Sequence, residues 1–257
     1  VLTKLELASV QRERGELNDA ARTLVEVLPA LADAHSPQIE ARAWHSLGMT
    51  LTEQGSFEAA LVEHDRALAR YTELADRFGQ ALVQRSIGIT HRAADDLAAA
   101  ERFCGSALRL MTELGDTHML IYSLQSLAKV RIRQGRGEAE RTALLDGLEK
   151  CRELQDGFGQ ALLLRTLGEL DLAARRFGDA EQHLERSLQW WTALSLPLWQ
   201  ARTMRDLATL LDATGRRKQS DATWSAALKL FERHGSHEAG EPRPRLSGGI
   251  TPARSPL

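Results

Sequence analysis

Phe78-Gly79-Gln80-Ala81-Leu82 recurs 80 residues later as Phe158-Gly159-Gln160-Ala161-Leu162. Thr72-Glu73-Leu74 returns as Thr112-Glu113-Leu114 after 40. Self-similarity at a fixed period marks a chain built from one supersecondary unit. Cutting every 40 residues from Val1 aligns six units without an insertion. The seventh position reads Leu7, Leu47, Ile87, Leu127, Leu167, Leu207, and the eighth Ala8, Gly48, Gly88, Ala128, Gly168, Ala208. The twentieth reads Ala20, Ala60, Ala100, Glu140, Ala180, Ser220. Leucine fills position 28 in every unit, from Leu28 to Leu228.

Each unit carries two helical stretches, over roughly positions 1–14 and 17–32, with apolar residues at three- and four-residue spacing. The turn between them holds Gly15, Gly55, Gly135 and Gly215, suited to a left-handed helix end; Asp95 and Arg175 replace glycine in units three and five. No alternating β-branched run offers a strand. The small columns have a steric reason, because helices approach most closely where side chains are no larger than alanine. Units run 1–40, 41–80, 81–120, 121–160, 161–200 and 201–240, with the repeat domain ending at about 234. From 238 to 257 the periodicity gives way to Glu241-Pro242-Arg243-Pro244 and Ser247-Gly248-Gly249, expected to form a disordered tail.

Composition excludes several classes. The 257 residues are 43% apolar and 26% charged, with a net charge of −2 and no basic excess for direct nucleic-acid binding. No run approaches the ~18 apolar residues of a membrane span. The opening has no signal-peptide pattern, and a start at Val1 is expected of a piece of a longer polypeptide. Cys104 and Cys151 are too few for a disulfide framework, which predicts a cytoplasmic setting. Arginine outnumbers lysine 28 to 5 and Asn18 is the single asparagine, the mark of a GC-rich genome.

Trp44, Leu47, Gly48, Leu51, Ala60 and Ala67 of unit two resemble the tetratricopeptide repeat, as do Ile87, Gly88, Ala100 and Ala107 of unit three. The resemblance covers residues 1 to about 234. It implies an all-α fold, a right-handed α-α superhelix of six helical hairpins. The period departs from the family's 34, position 32 is never proline, and Glu140 and Ser220 interrupt the alanine column. Units of this length with joints such as Glu113-Leu114-Gly115-Asp116 also resemble the C-terminal arrays of AfsR-like transcriptional regulators and related STAND ATPases of high-GC actinomycetes. A second resemblance is to peptide-sensing repeat receptors of quorum systems.

The tetratricopeptide resemblance places positions 2, 5, 9, 12 and 13 on the concave surface. There they supply Arg42, His45, Arg85, Arg92, Tyr122, Lys129, Arg133, Arg165, Arg202 and Arg205 as the predicted partner-binding set. Opposing acids are fewer: Glu13, Glu53, Glu169 and Asp212. Such a groove suits an acidic or carboxylate-bearing protein or peptide segment, since the guanidinium fork bonds carboxylate bidentately. The alternative is that these charges pair with acids on neighbouring units. Leu5 and Ser9 stand where a cochaperone clamp would need its first polar residues.

Catalytic patterns are absent. There is no Walker loop, no His-Glu-x-x-His and no serine elbow, so no cofactor, metal or enzymatic role is expected. His234 and His237 fall in what reads as a polar tail. Trp190, Trp191 and Trp199 are expected to fill the wedge between units five and six, and Trp224 to lie in the core. The expected function is a non-catalytic interaction scaffold, the sensor or effector array of a multidomain regulator, with an ATPase switch domain outside this chain as an intramolecular partner. A peptide receptor or a free-standing scaffold is the alternative. The register is testable directly: Ala60→Leu should overpack the hairpin crossing and destabilise by roughly 1–3 kcal/mol. An unchanged thermal midpoint would place the crossing elsewhere.

Overall fold

The computed structural model describes residues 2–33 and 36–243. Twelve α-helices follow in tandem among the described residues. They are α1 (Leu2–Glu13), α2 (Leu17–Asp33), α3 (Pro37–Gln54), α4 (Phe57–Glu73), α5 (Arg77–Ala93) and α6 (Leu97–Leu114). The second half holds α7 (Thr117–Arg133), α8 (Arg141–Glu153), α9 (Gly157–Ala173), α10 (Phe177–Ala193), α11 (Pro197–Ala213) and α12 (Arg217–Arg233). A 3-10 turn, Gly137–Glu140, leads into α8. No strand occurs among the described residues. The fold is an all-α superhelical repeat.

From unit two on, the first helix of the hairpin begins earlier than the periodic pattern indicates, at Pro37, Arg77, Thr117, Gly157 and Pro197 rather than at position 1. Capping decides this boundary. Asp76, Asp116 and Asp156 accept a hydrogen bond from the backbone N–H three residues on, satisfying a donor the helix leaves unpaired. Pro37 and Pro197 occupy the first turn, where a missing N–H is harmless.

Stacking follows one rule. Ala43 and Leu47, at positions 3 and 7 of unit two, pack on Leu24, Val27 and Leu31 of unit one. Val83 and Ile87 meet Ala67 and Tyr71 in the same way, and Leu163, Leu167 and Leu170 meet Leu144 and Leu148. Each first helix therefore lies on the second helix of the preceding unit. Within a hairpin the small column fixes the approach. A Cβ on Gly88 would stand 2.5 Å from Cys104 Sγ, and one on Gly168 would stand 2.6 Å from Leu184 Cγ. Ala60, Ala100 and Ala180 are fully buried opposite. Glu140 is also buried, and Arg131 hydrogen-bonds its carboxylate. Ser220 is satisfied by the carbonyl of Ala208.

The wedge between units five and six is aromatic as expected. Trp191 is fully buried, Trp199 stacks on it at 5.1 Å, and Phe158 meets both edge-on. Trp224 is half-buried rather than core.

The expected tail is corrected. His237–Gly240 forms a 3-10 turn at the position where a seventh first helix would begin, and Ser236 accepts from the N–H of Glu238 as its cap. Glu238 is buried. Residues 244–257, the rest of that expectation, lie outside the described residues.

Left-handed backbone closes the hairpin turns and the described joints from unit two on. Asp95 and Arg175 adopt φ of 67° and 58°, the same conformation as Gly15, Gly55, Gly135 and Gly215. At the joints between units Ala75, Gln155 and Ser195 do likewise, at 54°, 54° and 56°. A Cβ is strained there by roughly 1–2 kcal/mol. Ala75→Gly should therefore stabilise the chain, by about 0.5–1 kcal/mol in urea unfolding. A loss of stability would contradict the strain argument.

Candidate functional site

The concave face is built by the first helices, and a polar ladder runs along it from each unit to the next. Position 5 of one unit meets position 6 of its successor. His45 Nε2 lies 2.8 Å from Ser86 Oγ. Arg85 donates to Ser126 Oγ at 3.5 Å, Gln125 to Thr166 Oγ1 at 2.8 Å, and Arg165 to Asp206 Oδ2 at 2.7 Å. Thr52 and Thr90 hydroxyls sit 2.7 Å apart, and Arg12 reaches Glu53 at 2.8 Å. These residues hold adjacent units in register.

The C-terminal half of this face is neutralised. Lys129 and Arg165 both bond Glu169, at 2.8 and 2.9 Å. Arg202 and Arg205 both bond Glu238, at 2.7 and 2.9 Å, and Arg205 also reaches Glu241 at 3.2 Å. Burial alone would raise the carboxyl of Glu238, yet Arg202 and Arg205 hold it well below the ordinary range. Burial, with Arg165 nearby, pulls the Lys129 ammonium down to about 7 despite Glu169. Arg133 pairs with Asp95 at 2.6 Å and donates to the carbonyl of Arg92. Tyr122 donates its hydroxyl to Asp156 at 2.8 Å, beside His118.

Of the ten predicted residues, six thus have a charged partner inside the chain: Tyr122, Lys129, Arg133, Arg165, Arg202 and Arg205. The pairing acids Asp206 and Glu238 were invisible to the column reading. Position 6 lies outside the inner columns of the repeat, and Glu238 falls beyond the last periodic helix.

The N-terminal half differs. Among the described residues Arg42, Arg85 and Arg92 form no ion pair. The Nε atoms of Arg85 and Arg92 are buried without a hydrogen-bond partner. Burial lowers both guanidinium pKa values. Arg42 is exposed at the mouth of a cleft of about 330 Å³, walled by Tyr71, Phe78 and Leu82 and floored by His45 and Ser46. Met49 and Ile89 add apolar groups at the inner positions nearby. This region can receive carboxylates beside apolar side chains.

Other polar clusters serve the stack. Asp171 is fully buried and takes Arg141, Arg176 at 2.8 Å and His183 at 2.8 Å. Burial would raise its carboxyl, but His183 and the two arginines hold it at about 2. Among the described residues no group of three or more metal-ligating side chains is gathered. No described helix is long and apolar enough to cross a membrane.

The stacking rule, the small crossing column and the hairpin order make this chain a tetratricopeptide-like repeat array. The tetratricopeptide repeat model matches residues 39–113. The chain is similar to AfsR-type regulators: it is 28% identical over 249 residues to Regulatory protein AfsR of Streptomyces griseus, covering 86% of this chain and 25% of that protein. It therefore spans about a quarter of that relative's length. Among solved structures it resembles a Rap protein complexed with Competence and Sporulation Factor, with a TM-score of 0.75, 14% identity, and 90% of this chain and 63% of that one covered. Apo RapI superposes with a TM-score of 0.71 at 14% identity, covering 90% and 82% of the two chains. BtubC of P. vanneervenii gives 0.58 at 18% identity, covering 95% and 98%.

No sequence motif marks His64, whose column reads Leu24, His64, Cys104, Leu144, Leu184, Trp224. It is fully buried against Gly48, and neither ring nitrogen has a partner. Burial pulls its pKa to about 4 from 6.5. Because the folded value is depressed, the neutral ring is required. The unfolded chain takes up the proton first, so stability falls as pH drops from about 6.5 towards 4. Each tenfold difference in proton affinity between the two states is worth ~1.4 kcal/mol, so the loss attributable to His64 should reach about 2–3 kcal/mol by about pH 4.5. His64→Leu, the pairing already present at Gly168 and Leu184, should remove that part of the decline. Parallel urea curves at neutral pH and at about pH 4.5 test it; an unaltered pH slope would count against the assignment.

Proposed function

We propose that the chain is a protein-interaction array whose inner face, over units two to four, receives an acidic segment of a partner. One observation carries this reading. On a face where the other inner cations are matched by carboxylates, Arg42, Arg85 and Arg92 form no ion pair among the described residues, and two of them hold buried, unbonded Nε atoms. A buried donor left unsatisfied is unfavourable, by about 1–3 kcal/mol and more when charged. A bound carboxylate relieves that deficit.

The likeness to AfsR supports a place within a multidomain transcriptional regulator, with the segment contributed by the switch domain or by a separate protein. The likeness in fold to a Rap protein complexed with Competence and Sporulation Factor favours a second reading, in which the segment is a short free peptide. The two differ in what binds. A regulator array captures a folded domain from its own polypeptide, whereas a receptor takes the isolated peptide.

The pairing pattern also selects the variant. Arg165 is bound to Asp206 and Glu169, so reversing its charge would set a third carboxylate against those two acids and disrupt the stack. Arg85→Gln with Arg92→Gln removes charges that form no ion pair among the described residues and keeps a side-chain donor for Ser126. Fluorescence anisotropy with a labelled Glu/Leu peptide of about 15 residues should show at least tenfold weaker binding by this variant, and weaker wild-type binding at about 0.5 M salt. Lys218→Glu, on an outer turn, should bind as wild type. Equal affinity of the double variant and wild type would overturn the reading.

A further inference from the structure

The two ends of the array touch. Leu17, at the start of α2, is buried in one cluster with Leu198, Ala201, Ala227 and Phe231 of the last hairpin. Gly15 lies so close to His234 that a Cβ there would stand 2.7 Å from the ring, and its backbone hydrogen-bonds that histidine. One repeat on, the pattern returns. A Cβ on Gly55 would stand 2.6 Å from His237 Cβ, Phe57 meets the His237 ring edge-on at 5.4 Å, and His237 Nδ1 lies 2.9 Å from the Glu53 carbonyl. Gly15 thus meets His234, and Gly55 and Phe57 meet His237 three residues on. The equivalent glycines Gly135 and Gly215 have open space around them. This close approach belongs to the two turns that meet the C-terminal end.

Neither stacking nor hairpin formation requires these contacts. They cover the apolar face of Phe231 and Ala227, on which a seventh unit would otherwise stack. They also bring Glu238 against Arg202 and Arg205, at the inner rim. We propose that this junction is a clasp that closes the array into a ring and gates access to its inner face. The gate concerns the face assigned above to an acidic segment, and its use in binding rests on that reading. The interface is small: two turns, the first residue of α2 and one short 3-10 segment meet the last hairpin, and contacts of this extent open at a fraction of the global unfolding free energy.

Lys129 offers a readout that needs no partner. It lies on the inner face with its side chain 11% exposed, and its ammonium is partly neutral near pH 7, so an amine-acylating reagent modifies it when it can enter. Lys218, fully on the outside, serves as the reference. Phe57→Ala with His237→Ala should raise Lys129 acylation at least tenfold relative to Lys218 and enlarge the radius of gyration in small-angle scattering, with circular dichroism unchanged. Phe57→Cys with His237→Cys, joined by a short bis-maleimide, should slow Lys129 acylation below wild type; the native thiols Cys104 and Cys151 are buried. An opened form with unchanged Lys129 acylation overturns the gate, and so does a locked form that acylates as fast as wild type. If the gate behaves as expected while wild type and opened forms alike ignore the acidic peptide, the partner reading fails and the clasp stands.

Discussion

The closeness of the two helices within each hairpin is the constraint on which the rest depends. At position 8 the chain allows only glycine or alanine, because the facing helix arrives within contact distance of the backbone. At Gly88 and Gly168 a single added carbon would collide with Cys104 or Leu184. That approach sets the tilt of the hairpin. The tilt decides which residues of the second helix point outward to receive the next unit, and Leu24, Val27 and Leu31 are the outcome in unit one. Burial of those stripes supplies most of the stabilisation, at about 25 cal/mol per Å² of apolar surface. The steric column adds little energy of its own but fixes where that energy is gained.

The same geometry makes the inner face crowded. Successive first helices lie side by side, so a side chain at position 5 reaches position 6 of its neighbour. Whatever polar residues stand there must satisfy one another or remain unpaired in a partly desolvated space. In units four to six the chain resolves this with carboxylates: Glu169, Asp206 and Glu238 each answer at least one cation. For His45 and Arg85 of units two and three it uses serines of the next unit, Ser86 and Ser126, which bond but do not neutralise. The imbalance between the halves is electrostatic, and it gives the inner face a direction that the whole-chain charge of −2 conceals.

Period and register were legible because they repeat. Leu7 through Leu207 and Leu28 through Leu228 are set by packing that recurs six times, and a recurring constraint leaves a column. Pairing does not repeat. Asp206 and Glu238 each bind arginines across a joint in one place only, so no column announces them. Asp171 replaces the usual large side chain of its position and gathers Arg141, Arg176 and His183 from around the joint between units four and five. His64 sits where leucine stands in three of the six units, visible as an exception but silent about its unmet hydrogen bonds. The helix starts were displaced for a similar reason. Apolar periodicity marks where a helix packs, whereas Asp76, Asp116 and Asp156 mark where it begins, one turn before the first packed residue.

Closure changes what kind of object the array is. An open stack is nearly one-dimensional, with each unit stabilised by its neighbours and folding able to start anywhere. The contact between His237 and Glu53 joins residues 184 apart in sequence. Ordering a loop of that length is opposed by an entropy that grows only with the logarithm of its length, but the intervening stack has already met that cost. Once the repeats are formed, the ends are held close by a stiff superhelix, and the clasp needs only to offset the ordering of two turns and a few side chains. It therefore forms last and opens first. Small changes in the pitch of the stack move the two ends relative to one another, and on the proposed reading a segment bound across units two to four would act on that pitch at the joints where Arg85 and Arg92 stand. Binding inside the ring and closure of its ends are then two readings of one mechanical variable, the angle at which one hairpin leans on the next.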